Sequence, residues 1–470
     1  MNEDRFFTIL WGDVRTRLDG NYHRAFKKFE HLGMAGTRPL GSLLKAFFSG
    51  GTPSKSVSAY WAGEIPWASP KDFGPFILRE TEDHITQEAV THSAAKIANK
   101  GSVLVVVRSS VLAHTLPVAI TARHMAINQD IKALVCKDDI NPEFLASYLL
   151  TFGDQILPLI TKHGVTVQSV NTPEFRALPI PILDGGGQQR IAARYSAAID
   201  TQKQKLADAN ALLASIDDYL LAELGIILLP EPKNTIDKRI FRAKASDLGG
   251  WRFDPLFHSF KLWHAIEDSP TPSANLGRFC RLAKTGFAAG GNMQLHDDDG
   301  IIQIRPTNIG SDRQLKFDRN VYLDRGILHT QPTDVLQRRE VLFNNTNSQE
   351  QVGKTAFFDI EGEFLCSNHI TRIATNEAEL LPEYLTSVLN AYQRLKVFYS
   401  ICTNWNNQSG VNVDLLRKLI IPVPSVRKQQ AIAEEISGIY EQANALRRQA
   451  ADELDNAKKE IEAILLGGSE

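Results

Sequence analysis

The sequence predicts an α+β protein: two tandem mixed α/β domains, separated by two long helices that pair as an antiparallel coiled coil in a pseudo-two-fold repeat. Three observations predict it. The chain matches itself, in order, along most of its 470 residues. Each copy carries β-branched runs broken by Gly, Pro, Asn and Thr, with a proline-started helix late in it. Each copy then closes on a long stretch almost free of Gly and Pro that carries an apolar seam.

The self-match is a set of short pairs. RLDGNYH at 17–23 faces RFDPLFH at 252–258. Leu40-Gly41 faces Leu276-Gly277, Pro70 faces Pro306 and Ser110 faces Ser348. Pro142 faces Pro382, Pro179 faces Pro422 and Gln188 faces Gln429. The offset drifts only from 235 to 243 residues, which points to duplication rather than chance. The start before Arg17 and the acid run Asp297, Asp298 and Asp299 have no partner in the other copy and read as a flexible lead and a loop insertion.

Within the copies, VLVVV (103–107), KALVC (132–136), IIQIR (301–305) and TAFFDI (355–360) read as strands. PEFLASYLL and PEYLTSVLNAY read as helices with proline at the first position. The first seam runs through Ala192, Tyr195, Ile199, Leu206, Ala209, Leu213, Ile216 and Leu220, with polar Gln202 filling the gap. The second runs through Ile432, Ile436, Ile439, Ala443, Leu446, Ala450, Leu454, Ala457, Ile461 and Ile464. Narrow, alanine-rich seams with charged outer faces are buried most simply against each other. The expected division is a lead-in at 1–35, a globular domain at 36–186 and a central helix at 187–228. A linker and second lead-in at 229–274, a second domain at 275–424 and a final helix at 425–470 complete it.

Composition narrows the function classes. The chain is 43% hydrophobic and 23% charged, which is globular, and its length suits about two to four domains. No run of about 18 apolar residues exists, and the first residues lack the apolar core of a secretory signal. Cys136, Cys280, Cys366 and Cys402 form no CxxC pair, so neither a disulfide framework nor a zinc knuckle is expected, and a cytoplasmic location is.

Enzyme signals fail one by one. SQEQVGKT at 348–355 ends like a phosphate-binding P-loop but lacks its opening glycine and runs into a strand instead of a helix. FDPLF at 253–257 lacks one proline of the amino-methyltransferase loop, and no Gly-rich cofactor loop accompanies it. No GxSxG, HExxH or two-His-carboxylate pattern occurs. Asp359, Glu361 and Glu363 alternate without the lysine that a PD-(D/E)xK nuclease needs, and read as a solvated turn. No catalytic residue and no metal ligand is expected.

Binding vocabulary remains. Asn and Gln can pair bidentately with adenine, and Arg and Lys with guanine. In the second copy the candidates are Lys284, Arg305, Asn308, Asn345, Thr346, Asn347, Lys354, Asn404, Asn406 and Gln408. In the first they are Ser49, Thr52, Lys71, Arg108, Ser109, Ser110, Gln168 and Asn171. Gly50-Gly51 and Gly290-Gly291 sit in turns whose backbone N–H groups suit phosphate. Charge argues the other way: the net is +1 over 36–182 and 0 over 275–424, where a free-standing DNA binder shows a basic excess.

LGSLLKAFFSGGTPS…YWAGEIPWASPKDF resembles the opening of a target recognition domain in the specificity subunits of type I restriction–modification systems. REVLFNNTNSQEQVGKTAFF, QSGVNVDLLRKLIIPVP and the QQ-initiated helices are similar to later signatures of that family, and RFDPLFH to the lead-in of its second half. The resemblance spans nearly the whole chain and implies a non-catalytic subunit of a bacterial defence system. Each target recognition domain would read one half of an asymmetric bipartite site in double-stranded DNA. The helices would act as spacer and as platform for two methyltransferase subunits. S-adenosylmethionine, ATP and Mg would sit on the methyltransferase and restriction subunits, none on this chain, and those partners would supply the missing positive charge. The alternatives are a stand-alone DNA methyltransferase or nuclease, or a coiled-coil adaptor.

Overall fold

The computed structural model describes residues 36–162, 167–228, 262–295, 300–406 and 408–466, with Tyr22, His23, Phe26, Phe29 and Thr235 besides. The lead-ins at Arg17 and Arg252 and the acids Asp297, Asp298 and Asp299 lie outside the described residues. Two units emerge: residues 1–207 with 446–470, and residues 208–445.

In the first unit the run VLVVV becomes the strand Val103–Val106, buried on both faces. Val103 and Val105 join Phe144, Tyr148 and Ile156 in one cluster, while Leu104 faces Ala119, Ala133 and Ile127 in another. A strand clothed on both sides needs a continuous apolar run, which is why alternation is missing there. Its five-stranded sheet runs Leu44–Ser49, Ile131–Cys136, Val103–Val106, Val118–Thr121, Ile77–Leu78. A second sheet runs Asp83–Ile85, Ile65–Ala68, Met125–Ile127, Lys96–Ala98, with its middle pair parallel. A small sheet of Thr161–Lys162, Gln168–Val170 and Arg108–Ser109 continues from the central strand, and Thr37–Pro39 pairs with Pro179–Pro181.

The second unit repeats this plan. Cys280–Thr285, Ile370–Thr375, Glu340–Asn344 and Thr355–Phe358 form its main sheet. Gln294–Leu295, Tyr322–Leu323, Ile301–Ile304 and Phe364–Cys366 form the second, again with one parallel pair. Thr346–Asn347, Gln408–Gly410 and Thr403–Trp405 form the small one, and Ser273–Asn275 pairs with Ile420–Pro422. The strands that the two units share keep their order and direction, while the first main sheet has a fifth strand and the parallel pair lies at the edge of the second unit's second sheet.

The helix Pro142–Thr151 starts where Asn141 Oδ1 accepts from Glu143 N at 2.8 Å, and its counterpart is Pro382–Arg394. Tyr148 and Tyr384 sit at matching places and donate to the carbonyls of Pro179 and Pro422, at 3.0 and 2.9 Å. The two QQ signatures have a structural task. Gln188 accepts from Asn141 N (2.8 Å) and donates to the carbonyls of Asp139 and Leu183, both at 3.0 Å. Gln429 accepts from Leu381 N (2.9 Å) and donates to the carbonyls of Glu379 (2.8 Å) and Pro424 (2.9 Å). Both glutamines are buried. Gln429→Leu strands three backbone groups away from water and is expected to cost about 2–4 kcal/mol in urea unfolding, because each unmade buried bond carries a full desolvation penalty. A loss below about 0.5 kcal/mol would show that the clamp contributes nothing.

The long helices are Gly185–Leu224 and Val426–Leu465. Asp184 Oδ1 accepts from Gly187 N (2.6 Å) at the start of the first. Gly225, at a φ of 65°, ends it in the left-handed region that glycine tolerates. Within the first unit they run antiparallel, since Arg194 bonds Glu460 (3.1 Å) and Glu453 (3.0 Å) while Lys205 bonds Gln449 (2.7 Å). Within the second unit Lys428 pairs with Glu223, and Ile216 and Leu220 share a core with Ile432 and Ile436. The expected seams are mostly buried, with two corrections. Leu206 and Ile464 are exposed, and Leu465 is buried in place of Ile464. The expected seam steps by three from Ile461 to Ile464, whereas burial continues by steps of four through Ala457, Ile461 and Leu465.

Candidate nucleic-acid interface

The small sheet of each unit gathers residues that are far apart in sequence, and both are built the same way. In the first unit the buried strand Val103–Val106 runs on through Val107, whose carbonyl accepts from Val170 N at 2.8 Å. In the second, Asn345 holds that place and its carbonyl accepts from Val411 N at 2.9 Å. Beyond it the strand emerges, so Arg108 and Ser109 occupy the position of Thr346 and Asn347.

In the first unit Ser109 lies opposite Gln168 and Arg108 opposite Ser169. Arg108 is exposed, with Asp130 the nearest carboxylate at 4.0 Å, so its guanidinium remains available. Ser109 Oγ accepts from Val111 N, and Ser110 is exposed beside it. Pro70, Arg108, Ser109, Ser110, Gln129 and Val167 line a shared hollow. Thr52 adjoins this cluster, donating to Gln129 Oε1 at 2.7 Å, and Ser49 ends the neighbouring strand. Asn171 bonds through its backbone to Ile160 O and precedes the helix Thr172–Ala177.

In the second unit Thr346 lies opposite Gly410 and Asn347 opposite Ser409, while Asn404 lies opposite Ser409 and Trp405 opposite Gln408 on the sheet's other side. Asn404 Oδ1 accepts from Ser409 Oγ (2.6 Å), and Asn347 Oδ1 from Ser348 N (2.8 Å). Asn406, at a φ of 40°, turns the hairpin. The sequence reading omitted Trp405, which is 45% exposed at this tip. Gly410 makes its placement feasible, because a Cβ there would stand 2.4 Å from the indole ring. A large aromatic in an otherwise polar asparagine run was the available signal.

Other expected site residues make bonds within their own unit. Asn345 is only 6% exposed, and its Nδ2 donates to Asn368 O (3.1 Å) and Thr371 Oγ1 (3.0 Å). Asn308 is buried, accepting from Arg305 N (2.9 Å) and donating to Lys316 O (2.9 Å). Asp72, partly buried at the matching place in the first unit, accepts from Ser69 N and Glu82 N. Arg305 bonds Gln303 Oε1 through Nε (3.2 Å) and Nη2 (3.1 Å), and Lys284 pairs with Asp334. Lys71 pairs with Asp83 (2.9 Å) and Glu82 (3.1 Å), bonds that raise its pKa. Lys354 is half-buried, and burial lowers its pKa. The N–H groups of Gly50 and Gly51 are not offered to phosphate, since they donate to the carbonyls of Asn128 and Ile127, both at 3.2 Å. The acids read as a solvated turn are exposed but paired: Arg338 with Asp359 (2.7 Å) and Glu361 (3.1 Å), Arg325 with Glu363 (2.8 Å).

The family model for the type I restriction modification DNA specificity domain matches residues 35–210 and 309–456. The chain belongs to this family. It is 36% identical over 195 residues to the type I restriction enzyme EcoR124I/EcoR124II specificity subunit of Escherichia coli, covering 39% of this chain and 47% of that one. The MjaIX specificity subunit of Methanocaldococcus jannaschii is 29% identical over 153 residues, 31% of this chain and 34% of that one. The chain thus matches less than half the length of these specificity subunits. A solved type I S subunit from M. genitalium aligns with 92% of this chain and 95% of its own, at 13% identity and a TM-score of 0.41. Among the described residues of this family member no group of side chains could hold a metal ion, and no helix is long and apolar enough to cross a membrane. All four cysteines are free.

Proposed function

We propose that this chain is the non-catalytic DNA specificity subunit of a type I restriction–modification complex in the cytoplasm, its two globular domains (36–186 and 275–424) each reading one half of an asymmetric bipartite site. One observation carries the reading: two small sheets share a backbone plan and differ in side chains. Arg108, Ser109, Ser110 and Gln168 furnish one reader, suited to guanine or phosphate. Thr346, Asn347, Asn404, Gln408 and Trp405 furnish the other, whose amides suit adenine and whose indole suits apolar contact with a base. Thr52 completes the first set. Duplicated scaffolds with divergent tips are what two unlike half-sites require.

The long helices act in this proposal as an antiparallel coiled coil that sets the spacer and docks two methyltransferase subunits. The Arg194 bonds to Glu453 and Glu460 favour it. S-adenosylmethionine, ATP and Mg belong to the methyltransferase and restriction subunits, whose positive charge completes the grip on DNA.

The test is segment exchange. Replacing residues 36–182 with the equivalent segment of a relative, then sequencing the methylome of a host that also expresses the methyltransferase, should change one half of the methylated site only. A change in both halves or in neither defeats the two-reader assignment. Trp405→Ala in the same assay should lose about 1–3 kcal/mol of discrimination at one position of the other half and leave the complex assembled.

A further inference from the structure

The second unit contains a pocket of about 420 Å³ whose lining includes Arg313, Arg394, Phe357, Ser437, Tyr440 and Asn444. Arg313 is 8% exposed, and neither its Nε nor its Nη1 has a hydrogen-bond partner. Its Nη2 donates to Gln393 Oε1. A guanidinium has five N–H groups, and at least three are unused here: one on Nε and two on Nη1. The residue is also held at a φ of 67°, with its backbone N–H bonded to Gly310 O at 3.0 Å. A left-handed arginine persists only when its surroundings over-determine it.

The neighbouring carboxylates already have cationic partners. Asp217 accepts from Arg394 at 2.6 Å, Asp312 pairs with Lys316 at 3.3 Å, and Glu383 accepts from Arg339 at 2.8 and 3.1 Å. Glu441 also lines the pocket and is exposed. Burial, then the charge of Arg394, pushes the Arg313 guanidinium down to about 10, which leaves it protonated at neutral pH. A water could occupy the unused donors but could not neutralise the charge. A buried cation with spare donors calls for an oxyanion.

We propose that this pocket binds a phosphate-class oxyanion through Arg313, as the free ion or as the phosphate group of a small ester. The volume exceeds what inorganic phosphate fills, and Phe357 and Tyr440 supply apolar wall for an attached ring.

Equilibrium dialysis of the full-length chain with radiolabelled inorganic phosphate, at ionic strength held constant with chloride, tests this. Saturable binding near one ion per chain is expected, weakened about tenfold or more by Arg313→Met. Arg325→Met, at an exposed arginine paired with Glu363, should leave it unchanged. In a parallel arm with AMP, tighter binding than phosphate assigns the site to an ester, and equal or weaker binding assigns it to the free ion. Non-saturable uptake by the unaltered chain overturns the proposal whether or not a variant folds, and so does equal affinity in the unaltered and Arg313→Met chains.

Discussion

Arg372→Met is expected to destabilise the second unit by about 3–5 kcal/mol, because it leaves the Glu340 carboxylate buried without its counter-charge. The two side chains are each about 3% exposed. Arg372 bonds Glu340 through Nε (3.0 Å) and Nη2 (2.6 Å), and spends further N–H groups on the carbonyls of Thr333 and Val335, both at 3.0 Å. The guanidinium thus ties a loop to two strands of the main sheet. In the first unit Ala133 and Ser102 stand where Arg372 and Glu340 stand here, so the same fold closes there without an ion pair. The attraction is therefore replaceable, and the cost of the single change lies mainly in the stranded charge. Urea unfolding should show Arg372→Met/Glu340→Met to be less damaging than Arg372→Met alone. A double variant as unstable as the single would refute that explanation.

The same duplication explains what the sequence revealed and what it hid. The strand segments, the proline-started helices and the long seams were legible because each rests on a pattern of several residues that occurs twice. Single side chains were harder. In FNNTN, the amides of Asn345 and Asn347 look equivalent, yet one is buried and bonded to Thr371 while the other emerges on the small sheet. The repeat held the missing information: aligning Ser110 with Ser348 sets Asn345 against Val107, a buried valine. A polar residue facing an apolar one in the partner copy marks a scaffold position that has exchanged packing for hydrogen bonds. Asn308 facing Asp72 is the complementary case, since a shared cap needs the same acceptor in both copies. The exposure of Trp405 needed the fold, since only the hairpin it sits on shows that the ring stays out of the core. Lys71 and Lys284 suit phosphate by type, and folding brings acids from other segments beside both.

Ile461→Asp and Ile464→Asp make the second large contrast, because the apolar seam read from the sequence includes both and folding separates them. Ile461 is 0% exposed and packs in the first unit's core with Tyr195 and Ile191, whereas Ile464 is 39% exposed. Burying a full isoleucine side chain contributes roughly 1.5–3 kcal/mol, and an unpaired carboxylate in its place adds several more to the loss. Ile461→Asp should therefore cost at least about 4 kcal/mol. Ile464→Asp should stay within about 1 kcal/mol, as exposed substitutions do. Circular dichroism of the full chain during urea unfolding reads both. Similar losses would mean that the helix is rotated from the register described, with Ile464 rather than Leu465 facing inward. If the long helices are also the docking platform, Ile461→Asp should abolish methyltransferase binding while Ile464→Asp preserves it, so that docking follows the stability of the buried face.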